Sequence, residues 1–252
     1  MNNKFVVVVP FYNAEKWIDK SLRSVVLQEY KNFECLIMDD ASSDNSVSYV
    51  KRVIEGDSRF ILVTNEKNLG PLGNVQKAIT SNIINIEDED IIVILDGDDF
   101  FYSKRTLNIL NDCYNENSCW MTYGSYVSLS DKKRGKFAKQ LPAYVVENNL
   151  FRQHEWCTSH LRSYKKFLVD NVKPEDLKDE DGNFFKAAGD LALMFPLLEL
   201  SGDKSQYIGD ILYIWNDLNS LNEHKVKRES QLVCERMIRS GNKYSKLVRS
   251  ET

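Results

Sequence analysis

The ten residues Ile91–Phe100, IIVILDGDDF, constrain this chain more than any other stretch. Five aliphatic residues leave no polar position for a solvated face, the pattern of a short strand buried on both sides in a parallel sheet. The run then ends in Asp96, Asp98 and Asp99, three carboxylates within four positions. Carboxylates crowded at the end of a buried strand repel one another and resist desolvation, so they persist more easily with a cation among them. The plain alternative is an Asp-rich turn in water, because Asp favours turns and helix starts.

The surrounding pattern says where that strand sits. Apolar runs at Phe5–Val9, Cys35–Met38, Phe60–Val63 and Ile91–Leu95 predict four strands. Helical periodicity at Ala14–Gln28, Val47–Ile54, Leu72–Ile84 and Thr106–Tyr114 falls between and after them. Strand-helix alternation at this spacing predicts an α/β chain with a mostly parallel, doubly wound central sheet flanked by helices. The Ser42-Ser43-Asp44 turn offers helix N-caps. Past residue 115 the pattern is less regular. Strands are predicted at Trp120–Leu129 and Tyr207–Trp215, a charged loop at Asp131–Lys139, and helices at Ser163–Asn171, Ala187–Leu200 and Glu223–Leu247. No repeat or low-complexity linker divides the chain, which is read as one domain. Its parts are a regular front half (1–115), a less regular back half (116–222) and a basic C-terminal helix (223–252).

In a doubly wound sheet ligands bind beyond the carboxyl ends of the strands, where strand order reverses. Strand one ends in Pro10-Phe11-Tyr12-Asn13, strand two in Asp39-Asp40 and strand four in Asp96-Gly97-Asp98-Asp99. Three strand ends expected to be neighbours therefore carry a proline turn, an aromatic ring and five aspartates. Hard oxygen donors suit Mg²⁺ or Mn²⁺, ions that bridge to phosphate. Neither a G-x-x-x-x-G-K-[ST] loop nor a G-x-G-x-x-G turn follows strand one, so a glycine-rich phosphate cradle is not expected.

Composition removes other classes. A net charge of −4, from 33 basic and 37 acidic residues, lacks the basic excess of a general nucleic-acid binder. No apolar run approaches the roughly 20 residues that span a bilayer. No signal-peptide pattern precedes Phe5, and five dispersed cysteines without a CxxC pair read as reduced thiols, so a cytoplasmic protein is expected.

In combination, VPFYN, MDDASSDNS, NLG and DGDD at their spacing resemble the family 2 glycosyltransferases of the GT-A fold. The likeness continues through AAGDLALMFPLLELSG and YIGDILYIWNDLNSLNEHK. It implies that Pro10 and Tyr12 line a nucleobase pocket and that Asp40 accepts a hydrogen bond from the base. It implies that Asp96 and Asp98 contact the ribose and a metal-bound diphosphate, with Asp99 in support. It also implies Asp190 as the catalytic base, and His224 as a further metal or phosphate ligand beside Asp96 and Asp98. Many members carry an Arg after the N-x-G element; here GPLGNVQK has none, and Asn74 or Lys77 stands in its place.

The implied activity is metal-dependent, inverting transfer of a sugar from a nucleotide-sugar donor, UDP-sugar favoured, to a hydroxyl of a glycan or glycoconjugate acceptor, with Mn²⁺ or Mg²⁺ as cofactor. Two alternatives stand beside it. A sugar-1-phosphate nucleotidyltransferase would need a glycine-rich basic loop that Phe11–Glu15 lacks. A non-catalytic scaffold of the same fold would have lost either DGDD or Asp190. Near a helix start, Asp190 reads by itself as a first-turn residue. His160 is expected near the acceptor cleft and Trp156 in the core or against a sugar face. The basic residues of 223–252 predict a helix packed on the domain, with an anionic membrane surface as the alternative.

Overall fold

The computed structural model describes residues 1–220 and 228–249. One eight-stranded sheet runs through both halves of the chain in the order β3-β2-β1-β4-β7-β6-β8-β5. Its first half is the predicted parallel sheet: β1 (Phe5–Phe11) lies between β2 (Phe33–Asp39) and β4 (Ile91–Ile94), and β3 (Phe60–Thr64) forms the edge. The helices between them are α1 (Ile18–Val26), α2 (Ser46–Val53) and α3 (Gly70–Thr80). The order reverses beside β1, since β2 and β3 lie on one side of it and β4 on the other.

The second half is mixed. β5 (Phe100–Phe101) and α4 (Thr106–Asn117) precede β6 (Met121–Ser128), and α5 (Ala143–Glu147) precedes β7 (Ser159–Lys165). β7 is antiparallel to both β4 and β6, whereas β8 (Ser205–Trp215) runs parallel to β6 and antiparallel to β5. The predicted helix at Ser163–Asn171 is corrected here: its first residues finish β7, and only α6 (Lys166–Asp170) is helical. Tyr164, Phe167 and Leu168 carry a helical spacing, but Tyr164 pairs with Ile92 of β4 and Met121 of β6, and sheet pairing overrides local pattern there.

Strand alternation divides the core. Val6 and Val8 face a cluster with Leu72, Val75, Phe167 and α7 (Gly189–Ser201), while Phe5, Val7 and Val9 face one with Ile18, Leu22, Leu107 and Leu110. α7 is buried nearly all round, as its sequence GDLALMFPLLELS requires. Its one buried carboxylate, Glu199, forms a two-pronged ion pair with buried Arg152, at 2.7 and 3.0 Å.

Of the predicted C-terminal helix, α8 (Arg228–Ser240) is helical and residues 241–249 are not. Basic residues here are engaged by the domain: Arg239 donates to Arg152 O and His154 O, Lys246 pairs with Asp203, and Arg249 pairs with Glu89 while lying over the Phe167 ring. Among the described residues no helix is long and apolar enough to cross a membrane. All five cysteines are free thiols.

Candidate active site

The ends of β1, β2 and β4 meet at a cleft of about 740 Å³. Side chains stitch the first two ends together. Asn13, at φ +47°, donates its N–H to Ser42 Oγ, and its own Oδ1 accepts from Ser43 N. Asp44 accepts from the N–H groups of Glu15 and Ser46, which ties the turn to the start of α2. The Asn, Ser and Asp residues of VPFYN and DDASSDNS thus set loop shape. They leave Pro10 and Tyr12 lining the cleft, with Tyr12 49% exposed.

Asp40 is buried, and its carboxylate accepts from the N–H groups of Leu69 (2.7 Å) and Gly70 (2.9 Å), at the start of α3. It thereby fixes the β3–α3 loop as well as lining the cleft. Asn74 also lines the cleft, but its amide lies inside the fold, accepting from Asn65 and donating to Gly70 O. Lys77 donates to Asn65 Oδ1. Both candidates for the missing Arg therefore serve the internal network around Asp40.

The DGDD turn is held from the far end of the chain. Gly97 N donates to Pro10 O at 3.0 Å, so the turn lies directly on the end of β1. Tyr213 Oη donates to Asp99 Oδ2 at 2.6 Å and Asn216 N to Asp99 Oδ1 at 2.7 Å, while Asn219 Nδ2 donates to Asp98 Oδ2 at 2.6 Å. Asp99 is buried under the turn, and Asp96 and Asp98 line the cleft. Burial raises Asp99 well above the usual carboxylate range, with the Asp98 and Asp96 charges adding to it. Burial also pushes Asp98 up to about 6, against the Asn219 hydrogen bond and with the Asp96 charge adding. Asp96 is raised by burial, opposed by Arg162.

Across the cleft, Asp190 sits in the first turn of α7, after Ala188 at φ +55°. Arg162 stands between the two sides. Sheet register sets it opposite Ile94, beside the start of the DGDD turn. One guanidinium nitrogen lies 3.5 Å from Asp190 Oδ2 and another 3.8 Å from Asp96 Oδ2. It also donates to His160 Nδ1 at 3.0 Å, and the His160 ring stacks on Tyr213 at 4.2 Å and 13°. Burial, then the Arg162 charge, holds His160 well below its ordinary pKa, so the ring is a neutral acceptor for Arg162.

The family model described as glycosyl transferase family 2 matches residues 6–173. The chain belongs to glycosyltransferase family 2. Among its curated relatives, an uncharacterized glycosyltransferase of Rickettsia conorii is 32% identical over 152 residues, 60% of this chain and 24% of that protein. An Escherichia coli UDP-Glc:α-D-GlcNAc-diphosphoundecaprenol β-1,3-glucosyltransferase is 32% identical over 148 residues, 58% of this chain and 54% of its own length. The chain thus spans between a quarter and about half of these relatives. Among solved structures, S. aureus TarS 1-349 with UDP-GlcNAc superposes at TM-score 0.69 and 22% identity, covering 93% of this chain and 65% of that one. A Pyrobaculum calidifontis mannosyltransferase with GDP-Man and Mn²⁺ gives 0.62 and 18%, covering 96% and 66%. These likenesses establish the GT-A fold.

Within this family 2 fold, Pro10, Tyr12, Asp40, Asn74, Asp96, Asp98, Asp99 and Asp190 all border one cleft, Asp99 being almost fully buried in its wall. His224 lies outside the described residues. Among the described residues no group of three or more His, Cys, Asp and Glu side chains is arranged to hold a metal. A pair of hard carboxylates remains, Asp96 and Asp98, which fits an Mg²⁺ or Mn²⁺ ion that takes the rest of its shell from phosphate and water. Trp156 packs edge-on against Phe195 at 5.5 Å and belongs to the core, whereas Trp215 lines the cleft. Sequence reasoning missed Arg162, Tyr213, Asn216 and Asn219. His160 and Arg162 do carry one signal: at i and i+2 they share a strand face.

Proposed function

We propose that this chain is a metal-assisted, inverting glycosyltransferase that moves a sugar from a nucleoside diphosphate sugar, most naturally a UDP-sugar, to a hydroxyl of a glycan or glycoconjugate. The observation that carries this reading is Arg162, which links Asp96 of the DGDD turn to Asp190 across one cleft. Support for the donor comes from the E. coli relative, named for UDP-Glc, and from TarS bound to UDP-GlcNAc. Support for a metal comes from the mannosyltransferase bound to Mn²⁺.

The chain's residues divide the work. Tyr12, on the exposed lip above Pro10, stacks on the nucleobase, and Asp40 accepts a base N–H with the lone pairs its loop contacts leave open. Binding this remote part of the donor orients the reacting carbon. Asp96 meets the ribose, and Asp98 and Asp96 would hold the divalent cation, which when bound supplies Lewis-acid stabilisation of the departing diphosphate. Asp99 takes no ligand; pinned by Tyr213 and Asn216, it fixes the turn. Asp190 accepts the proton of the acceptor hydroxyl as that oxygen bonds to the anomeric carbon. The bond from that carbon to the diphosphate oxygen breaks with its electron pair. One base and one displacement invert the carbon.

Calorimetric titration with UDP, GDP and dTDP, with and without Mn²⁺, tests the reading. The expected result is Mn²⁺-dependent binding of UDP that Asp98→Ala abolishes, with Asp190→Ala keeping binding and losing transfer. Absence of binding by all three diphosphates with Mn²⁺ present would refute it.

A further inference from the structure

We infer that Arg162 reads the transferred sugar itself, donating hydrogen bonds to a hydroxyl or N-acyl carbonyl oxygen on its ring. This rests on the donor-sugar reading above. The Arg162 side chain is only 8% exposed, yet it lines the cleft. A guanidinium offers five N–H donors. The contacts to Asp190 and Asp96, at 3.5 and 3.8 Å, are longer than the roughly 2.7–2.9 Å of a charge-assisted hydrogen bond. The bond to His160 Nδ1 occupies one terminal nitrogen. Arg162 Nε, itself sealed inside the protein, has no hydrogen-bond partner among the described residues. Buried donors are nearly always satisfied in a working state, so a cleft-lining guanidinium whose terminal nitrogens make only one bond of ordinary length points to a ligand oxygen.

The position says which part of the ligand arrives there. In a displacement the attacking oxygen and the leaving oxygen lie on opposite sides of the reacting carbon. Asp190 serves the first side and the Asp96–Asp98 turn the second, so the sugar lies between them, where Arg162 is. The charge of Arg162 is already offset by two carboxylates. It therefore suits the neutral oxygens of a sugar better than a second phosphate. His160, stacked on Tyr213, holds one terminal nitrogen of the guanidinium and leaves the other with only the 3.5 Å contact to Asp190.

The test compares UDP with UDP-Glc, UDP-GlcNAc and UDP-Gal by calorimetry on the intact chain with Mn²⁺, for wild type, Arg162→Lys and Arg162→Gln. The GDP series replaces it if GDP is the diphosphate bound. The expected result is that the sugar nucleotide bound best by wild type loses about tenfold or more in affinity in both variants, as for a lost hydrogen bond to a charged group. The loss for the sugar nucleotide should exceed the loss for UDP by about tenfold, and UDP that still binds reports a folded site. Parallel losses for UDP and the sugar nucleotide would overturn the inference in favour of a structural role, as would unchanged sugar-nucleotide affinity. Wild type that binds no diphosphate with Mn²⁺ fails earlier, refuting the donor reading and this inference with it.

Discussion

Replacing Gly97 with Ala should separate the DGDD turn from the base pocket. A Cβ on Gly97 would lie 2.4 Å from Phe11 Cβ, 2.9 Å from Pro10 O and 3.2 Å from Phe11 Cα. The obstacle is the β1 strand end and not the tip of a flexible side chain. Carbon atoms rest at about 3.5–4.0 Å, so the turn and the strand end must part by roughly 1 Å. Overpacking of this kind costs about 1–3 kcal/mol. For a chain of this size that lowers Tm by roughly 2–12 °C. On the proposed function the functional loss is larger, because the same shift moves Asp96 and Asp98 away from Pro10 and Tyr12, across the one cleft that all four line. A misplacement of about 1 Å costs on the order of a hundredfold where two groups act on one substrate. Differential scanning calorimetry and a UDP–Mn²⁺ titration measure both, with Gly209→Ala as the control, since a Cβ there meets nothing within 4 Å. A Gly97→Ala protein that melts with wild type and binds UDP with unchanged affinity would refute the close approach of the turn to β1.

Acid should weaken metal binding through Asp98. Its folded pKa, pushed up to about 6, exceeds the unfolded value of about 3.9, so its contribution to stability is full below the unfolded value and is lost as pH rises through about 6. The metal needs the ionised form, so Mn²⁺ affinity should fall between pH 7 and 5, and a flat Mn²⁺ titration across that range would contradict the assignment. Arg152→Met should cost about 3–5 kcal/mol in urea unfolding by stranding buried Glu199, and Arg152→Met with Glu199→Leu should recover most of it. Tyr213→Phe keeps the stack on His160 but removes the hydroxyl 2.6 Å from Asp99, for a loss of about 1–3 kcal/mol and weaker UDP–Mn²⁺ binding. Unchanged binding in that variant would mean that Asp99 does not set the turn.

How much of this could be read from the sequence follows from the range of the forces involved. The β1, β2 and β4 runs were legible because strands buried on both faces leave an unbroken apolar signature. That their ends should be neighbours followed from the doubly wound rule, which is why one proline–aromatic end and two acidic ends could be expected at one cleft. α7 was legible as an apolar helix, and Asp190 only through resemblance, since local pattern makes it an ordinary first-turn aspartate. β7 was not legible. SHLRSYK has the mixed polarity of a solvated segment, and only its pairing with β4 and β6 makes it a strand. The partners of Asp98 and Asp99 were hidden for the same reason: Asn219 and Tyr213 lie 121 and 114 residues away, and no local periodicity encodes such a contact.

The hidden residues are also the ones that make the carboxylates usable. Asp96, Asp98, Asp99 and Asp190 crowd one cleft and its floor, and isolated they would protonate or splay apart. Three devices hold the four. Asp99 is spent on Tyr213 and Asn216, Asp98 is steadied by a neutral amide that adds no charge, and Asp96 and Asp190 share the Arg162 guanidinium at a distance too long to neutralise either outright. The long contacts to Arg162 leave Asp96 and Asp190 with oxygen lone pairs for ligands. A shorter, bidentate ion pair at either residue would stabilise the empty protein and close its site. If that balance is what the cleft requires, Asn219→Lys should pair with Asp98 and bring it back toward the ordinary carboxylate range. The same change should abolish Mn²⁺ binding by occupying its oxygen. Retained Mn²⁺ affinity in Asn219→Lys would show that Asp98 Oδ2 is not where the cation binds.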